Sequence, residues 1–155
     1  MAKFPTEAEK SITVKAPLAR VYKFLWDVLG SADCVPGLDS CTRVGNDTYR
    51  FVYQEVSAGP VSHVARYTAR YEGNGTDRIT FTSVPSKDAN TDVAGLFRLH
   101  ASGADATKIT LRQTAAADSP VPRLLQGFIR SFVEDRAGDL VKRHLTNIKR
   151  ALEEE

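Results

Sequence analysis

From Cys41 to Ala116 the chain alternates apolar and polar residues with period two, and only short clusters of turn residues interrupt it. The interruptions are Gly45-Asn46-Asp47, Ala58-Gly59-Pro60, Gly73-Asn74-Gly75, Pro85 to Asn90 and Gly103-Ala104-Asp105. Connectors of this kind make hairpins, whereas a parallel pair needs a crossover of roughly a dozen residues or more. Strands are therefore predicted at 41–45, 48–57, 61–72, 78–84, 91–101 and 107–116, all in one antiparallel sheet. Between Lys10 and Lys15, Ile12 and Val14 alternate with Ser11 and Thr13, which adds a seventh strand ahead of the others.

The flanks carry the helical period instead. Pro17 is placed to open a helix whose stripe is Leu18, Val21, Tyr22, Leu25 and Val28, with Trp26 at its edge and Gly30-Ser31 at its end. Ala32 to Leu38, with Pro36-Gly37 inside it, predicts a second brief helix or a turn. At the other end, Ser119 is suited to cap a helix and Pro120 to begin it. Leu125, Phe128, Ile129, Phe132, Leu140, Val141, Leu145, Ile148 and Leu152 then follow helical spacing. Such a helix would be roughly 50 Å long, a length that calls for a kink or a late start, with Gly127 and Gly138 as the weak points.

Charge decides which face of each strand looks outward. Arg66, Thr68 and Arg70 share one face of their strand, and His63, Ala65, Tyr67, Ala69 and Tyr71 share the other. By the same rule Tyr49, Phe51, Tyr53, Ile79, Phe81, Ser83, Val93, Gly95, Phe97, Leu99, Ile109, Leu111, Gln113 and Ala115 face inward. Seven strands at ~4.8 Å spacing make a sheet roughly 30 Å wide, while one helix covers only ~10 Å. The sheet must curl around the C-terminal helix. The expected fold class is α+β: a curved seven-stranded antiparallel sheet around a long C-terminal helix, with two short helices after the first strand. Space left between them is either filled by aromatic rings or remains a pocket.

Composition removes several classes of function. At 155 residues the expectation is a single domain over 1–155. Lys and Arg number 21 against 19 acids, a net charge of +2, too weak a balance for nucleic acid. The start has no apolar leader segment and no apolar run approaches the ~18 residues of a membrane span, so a cytoplasmic protein with no membrane span is expected. Cys34 and Cys41 match no zinc spacing and are read as small apolar groups, not a disulfide. His63, His100 and His144 are scattered, and neither a nucleophile elbow nor a phosphate-binding glycine loop occurs. No metal and no cofactor are expected.

What remains is a set of groups on the inward faces. Glu55 and His63 lie on either side of the Gly59-Pro60 hairpin and are the candidates for acid–base chemistry. The plain alternatives are a solvent-facing strand end for Glu55 and a rim position for His63. Arg136 falls between Phe132 and Leu140 on the apolar stripe of the last helix, either snorkelling outward or salt-bridged, or coordinating an anion across a greasy pocket. Tyr53, Tyr67, Ser83 and Gln113 could hydrogen-bond a ligand, with Phe81, Phe97, Phe128 and Phe132 as its apolar walls.

The order strand, helix pair, six-stranded meander and long helix resembles the helix-grip fold of the START-like or Bet v 1-like (SRPBCC) superfamily. Ala16-Pro17-Leu18-Ala19-Arg20-Val21-Tyr22-Lys23-Phe24-Leu25-Trp26-Asp27 is similar to that superfamily's opening. Cys34-Val35-Pro36-Gly37-Leu38-Asp39-Ser40-Cys41 and Gly59-Pro60-Val61-Ser62 are similar to the polyketide cyclase/dehydrase and CoxG-like branch. The resemblance spans nearly the whole chain, and its motifs are structural. It implies an apolar or aromatic small molecule, lipid- or polyketide-like, held between sheet and helix by a carrier or sensor. The alternative is a cyclase, dehydratase or hydrolase acting by general acid–base chemistry in that cavity, placed second because no residue pair's spacing demands that role; a CoxG-like assembly factor is the weaker third reading. The end at Glu155 leads us to expect no membrane-recruiting tail. A protein partner or a homodimer stays open.

Overall fold

The computed structural model describes residues 2–154. Strand β1 (Ala2–Val14) leads into helix α1 (Leu18–Trp26), helix α2 (Val28–Ser31) and a 3₁₀ turn over Ala32–Cys34. Then come β2 (Leu38–Gly45), β3 (Thr48–Tyr53), β4 (Val56–Ala58), β5 (Val61–His63), β6 (Arg66–Gly73), β7 (Arg78–Val84), β8 (Thr91–Ala101) and β9 (Thr107–Ser119). Helix α3 (Gln126–Glu153) closes the chain. Seven strands form one antiparallel sheet in the order β1-β9-β8-β7-β6-β3-β2, and β4 with β5 makes a separate two-stranded hairpin.

The helix-grip arrangement is thus present, with local departures from the expected boundaries. β1 begins eight residues earlier than Lys10, pairing Ala2 with Ser119 and Val14 with Thr107. Pro5 hid this extension. It is tolerated because β1 is an edge strand, where a missing donor costs least. The runs 48–57 and 61–72 each break in two, because the chain leaves the main sheet after Tyr53 and rejoins it at Arg66. Ser119 caps no helix. It is a buried residue that ends β9, and α3 starts seven residues further on, after a 3₁₀ turn at Arg123–Leu125.

The first helical pattern breaks at Asp27, whose backbone leaves helical geometry while its side chain accepts a hydrogen bond from Gly30 N at 3.0 Å. α1 buries Val21 and Leu25. Its Tyr22 hydroxyl accepts from Gly75 N at 2.9 Å and pins the β6–β7 turn. Gly95 has a specific task in the sheet. It pairs with Phe81, and a Cβ there would lie only 2.0 Å from the Phe81 ring, so glycine lets that ring lie flat across β8. Outside the sheet, Arg50 donates two hydrogen bonds of 2.6 Å to Asp88, and Asn90 donates to Val64 O at 2.8 Å. These bonds strap the 85–90 segment to β3 and to the approach to β6.

The core has two parts. The larger includes Phe51, Ile79, Leu99, Ile109 and Leu111 from the sheet and Val141, Leu145, Ile148 and Leu152 from the C-terminal half of α3. The smaller joins Phe4, Ala58, Val121 and Ile129 at the other end of the same helix. Between them, from Phe132 to Leu140, α3 has no fully buried residue.

Leu145 and Ile148 are 1% and 0% exposed. Leu145→Ala is therefore expected to cost ~2–5 kcal/mol in urea unfolding. Phe128→Ala, at a position 54% exposed, is expected to stay within about 0.5 kcal/mol. Equal losses would mean that α3 does not pack through its C-terminal half.

Candidate functional site

The helix that is fixed at both ends leaves a cavity of about 230 Å³ beneath its middle. Phe132, Val133, Arg136, Leu140, Val141 and His144 form the helix side. The sheet side carries Phe51, Tyr53, Tyr67, Tyr71, Phe81, Phe97 and Gln113, and the β4–β5 hairpin contributes Val56, Ala58, Val61 and His63. Gly37 and Gln54 also line it while remaining exposed, so the cavity reaches the surface beside them.

Aromatic rings pave this floor in an unbroken series. Tyr53 lies 5.9 Å from Tyr67, which stacks on Phe51 at 5.1 Å; Phe51 neighbours Tyr71 at 6.4 Å. Tyr71 stacks on Phe81 at 5.3 Å, Phe81 meets Phe97 at 6.0 Å, and Phe97 meets the His144 imidazole edge to face at 5.8 Å. These separations are those of favourable ring pairs. The series follows from sheet geometry, since inward positions of neighbouring strands stand side by side.

The polar groups are few. The hydroxyls of Tyr53 and Tyr67 lie 2.9 Å apart and share a hydrogen bond. Burial pushes Tyr53 up to about 12, and burial together with the neighbouring tyrosines raises Tyr67 further. Both therefore stay protonated at neutral pH. Burial lowers His144 to about 4. His144 lines the cavity, and neither of its ring nitrogens is hydrogen-bonded among the described residues. His63 is lowered by burial and by the charge of Arg66, and its Nε2 is buried with no partner among the described residues. Arg136 is half-buried and has neither an ion pair nor a hydrogen bond among the described residues.

Of the residues singled out in the sequence, Tyr53, His63, Tyr67, Phe81, Phe97, Gln113, Phe132 and Arg136 all line this cavity. Three do not. Glu55 is exposed, because Gln54 and Glu55 form the break between β3 and β4. The break inverts the alternation: Gln54, Val56 and Ala58 face the cavity and Glu55 turns away. Ser83 keeps the phase of Phe81, but its hydroxyl accepts from Val93 N at 3.0 Å and closes the end of the β7–β8 ladder. Phe128 is exposed and lies over the hairpin turn, where a Cβ on Gly59 would come 3.7 Å from its ring. His144 was missed. The signal for it was Phe132, Arg136, Leu140 and His144 at strict intervals of four, which places all four on one helix face.

No three acidic, histidine or cysteine side chains converge as metal ligands among the described residues. Cys34 and Cys41 are free thiols, and burial pushes Cys41 up to about 11. No helix of the described residues is long and apolar enough to cross a membrane.

A family model described as polyketide cyclase / dehydrase and lipid transport matches residues 5–153. The chain belongs to this family. Solved structures share the fold. A START superfamily protein from Mycobacterium smegmatis is 15% identical with a TM-score of 0.69, covering 96% of this chain and 97% of that one. The Zhui aromatase/cyclase from Streptomyces sp. R1128 is 18% identical with a TM-score of 0.62, covering 96% and 94%. The di-domain aromatase/cyclase StfQ from the steffimycin biosynthetic pathway is 16% identical with a TM-score of 0.64, covering 97% of this chain and 51% of that one. At these identities the likeness is one of START-like fold. No curated protein matches the chain.

The buried imidazole makes a pH prediction for this family member. The unfolded chain takes up the His144 proton near 6.5, while the folded protein resists it until about 4. Protonation therefore favours the unfolded state, and stability should fall as pH drops through that window. The depression corresponds to up to about 3 kcal/mol. His144→Phe is expected to flatten the slope of urea stability between pH 6.5 and 4. An unchanged slope would place His144 in contact with bulk water.

Proposed function

We propose that the chain binds an apolar, aromatic small molecule carrying one acidic group, as a carrier or sensor that leaves it chemically unchanged. One observation carries this reading: Arg136 lines a mostly apolar, ring-paved cavity and has no partner among the described residues. A guanidinium turned toward low dielectric is costly unless an anion faces it. Glu55, the carboxylate that the sequence suggested, is on the outside. A ligand carboxylate, sulfonate or phenolate supplies the missing partner, and the rings supply the apolar contact. The size fits, since an engineered cavity of ~150 Å³ takes benzene and this one is larger.

The family's description also covers cyclase and dehydrase chemistry, so an enzyme working in the same cavity is the second reading. Proton transfer is most efficient when the catalytic group titrates near the working pH. Burial moves His144 down and both tyrosines up, away from neutrality in each case. With Glu55 outside, no carboxylate of the described residues lines the cavity. These features favour binding over turnover.

The test uses 8-anilinonaphthalene-1-sulfonate against an uncharged naphthylamine analogue. The sulfonate should bind one to one, and saturation at a hundredfold excess over Kd should stabilise the fold by about 2.7 kcal/mol. Arg136→Met should weaken the sulfonate roughly tenfold or more, the usual range for a hydrogen bond to a charged group, and leave the neutral analogue within twofold. Equal losses for both probes would remove the anion site. Conversion of a bound aromatic or polyketide-like compound, lost in Tyr67→Phe or His144→Phe, would favour the enzyme instead.

A further inference from the structure

We propose that His144 is a second polar anchor of the cavity, and that the ligand is a hydroxylated fused aromatic acid whose hydroxyl meets this imidazole while its acid group meets Arg136. This rests on the reading of the cavity as an aromatic-acid site and adds to it which aromatic acids are selected.

Arg136 and His144 are eight residues apart on one face of α3, which separates them by about 12 Å along the axis. Leu140 lies between them, and all three line the cavity. Opposite this face the floor is aromatic: Tyr67, Tyr71, Phe81 and Phe97 offer ring surface and no charge. A planar apolar body lying along the helix touches these rings and carries polar groups only at its two ends. At the Arg136 end the site presents a cation. At the other end it presents an imidazole that stands edge to face against Phe97 at 84°, a contact that holds the ring in place.

That imidazole is neutral around pH 7, because burial opposes its charge. A neutral imidazole has one bare nitrogen that accepts a hydrogen bond and one N–H that donates. Neither nitrogen has a partner among the described residues, and neither is sealed off by protein. A hydroxyl can donate to the bare nitrogen or accept from the N–H, so it satisfies the imidazole whichever tautomer is present. A second carboxylate cannot do so as well, since it only accepts and brings a charge to an uncharged end. Two fused rings with substituents at opposite ends place an acid and a hydroxyl roughly 0.8–0.9 nm apart, and the long Arg136 side chain takes up the rest of the ~12 Å rise between the two positions.

The experiment titrates 6-hydroxy-2-naphthoate, 2-naphthoate and 2-naphthol into the wild type, Arg136→Met and His144→Phe. Phenylalanine keeps a ring against Phe97. The wild type should prefer the hydroxy acid to 2-naphthoate by roughly 3–10-fold, the worth of one neutral hydrogen bond. His144→Phe should erase that preference and leave 2-naphthoate within twofold. Arg136→Met should weaken both acids by the same factor and spare 2-naphthol. A preference that persists in His144→Phe, or is missing in the wild type, overturns the role of His144 while the aromatic-acid reading stands. Failure of all three compounds to bind the wild type overturns that reading and this inference with it. A second measurement needs no variant: the side-chain ¹⁵N resonances of His144 should move on binding the hydroxy acid and not on binding 2-naphthoate. The same shift with both acids would overturn the hydrogen bond.

Discussion

Everything in this molecule depends on how one helix is held inside a sheet too wide for it. α3 is fixed at its C-terminal half by Val141, Leu145, Ile148 and Leu152 against the main core, and near its start by Ile129 against Phe4, Ala58 and Val121. Neither contact fills the space between. The middle turns, Phe132 to Leu140, stand over the concave face without a fully buried residue. The burial that holds α3 itself is thus concentrated at its two ends, and the cavity is the consequence of that distribution. A flatter sheet or a second covering helix would abolish it.

The same geometry fixes the chemistry of the cavity. Inward positions on adjacent strands put aromatic rings side by side, so the floor is a continuous run from Tyr53 to Phe97 that ends on an imidazole from the helix. The rings exclude water from nearby polar groups, and desolvation alone accounts for the lowered His144; it is the first cause of the raised tyrosines. A site tuned this way recognises charge and hydrogen-bonding groups strongly, because water competes little.

Much of this was legible in the sequence. Period two between Cys41 and Ala116, with turn residues at each break, carries strand number and pairing sense directly. Burial of Phe51, Tyr67, Phe81, Phe97 and Leu111 follows from alternation with Arg50, Arg66 and Arg112. Arg136 was conspicuous as a cation within an apolar stripe. The misses share one physical cause, which is that alternation propagates a phase but does not announce where the phase slips. Two residues, Gln54 and Glu55, leave the ladder so that the β4–β5 hairpin can fold over the cavity, and that slip sends Glu55 outward. Ser119-Pro120 satisfies the local rules for starting a helix, yet β9 pairs with β1 as far as Ser119, and tertiary pairing outweighs a cap worth ~1 kcal/mol. His144 escaped because a lone histidine on a helix is ordinary until the cavity beneath it is known.

We propose that the ligand occupies the space under the middle of α3, closed in by the β4–β5 hairpin. Amide hydrogen exchange with and without 2-naphthoate measures this most directly. Without ligand, amides from Val141 to Leu152 should exchange slowest, and those from Phe132 to Leu140 faster, since fewer buried contacts hold them. Ligand should add protection to residues 132–140 and 56–63 and change the C-terminal half of α3 little. Protection gained outside those two segments, or spread evenly over the helix, would contradict the account.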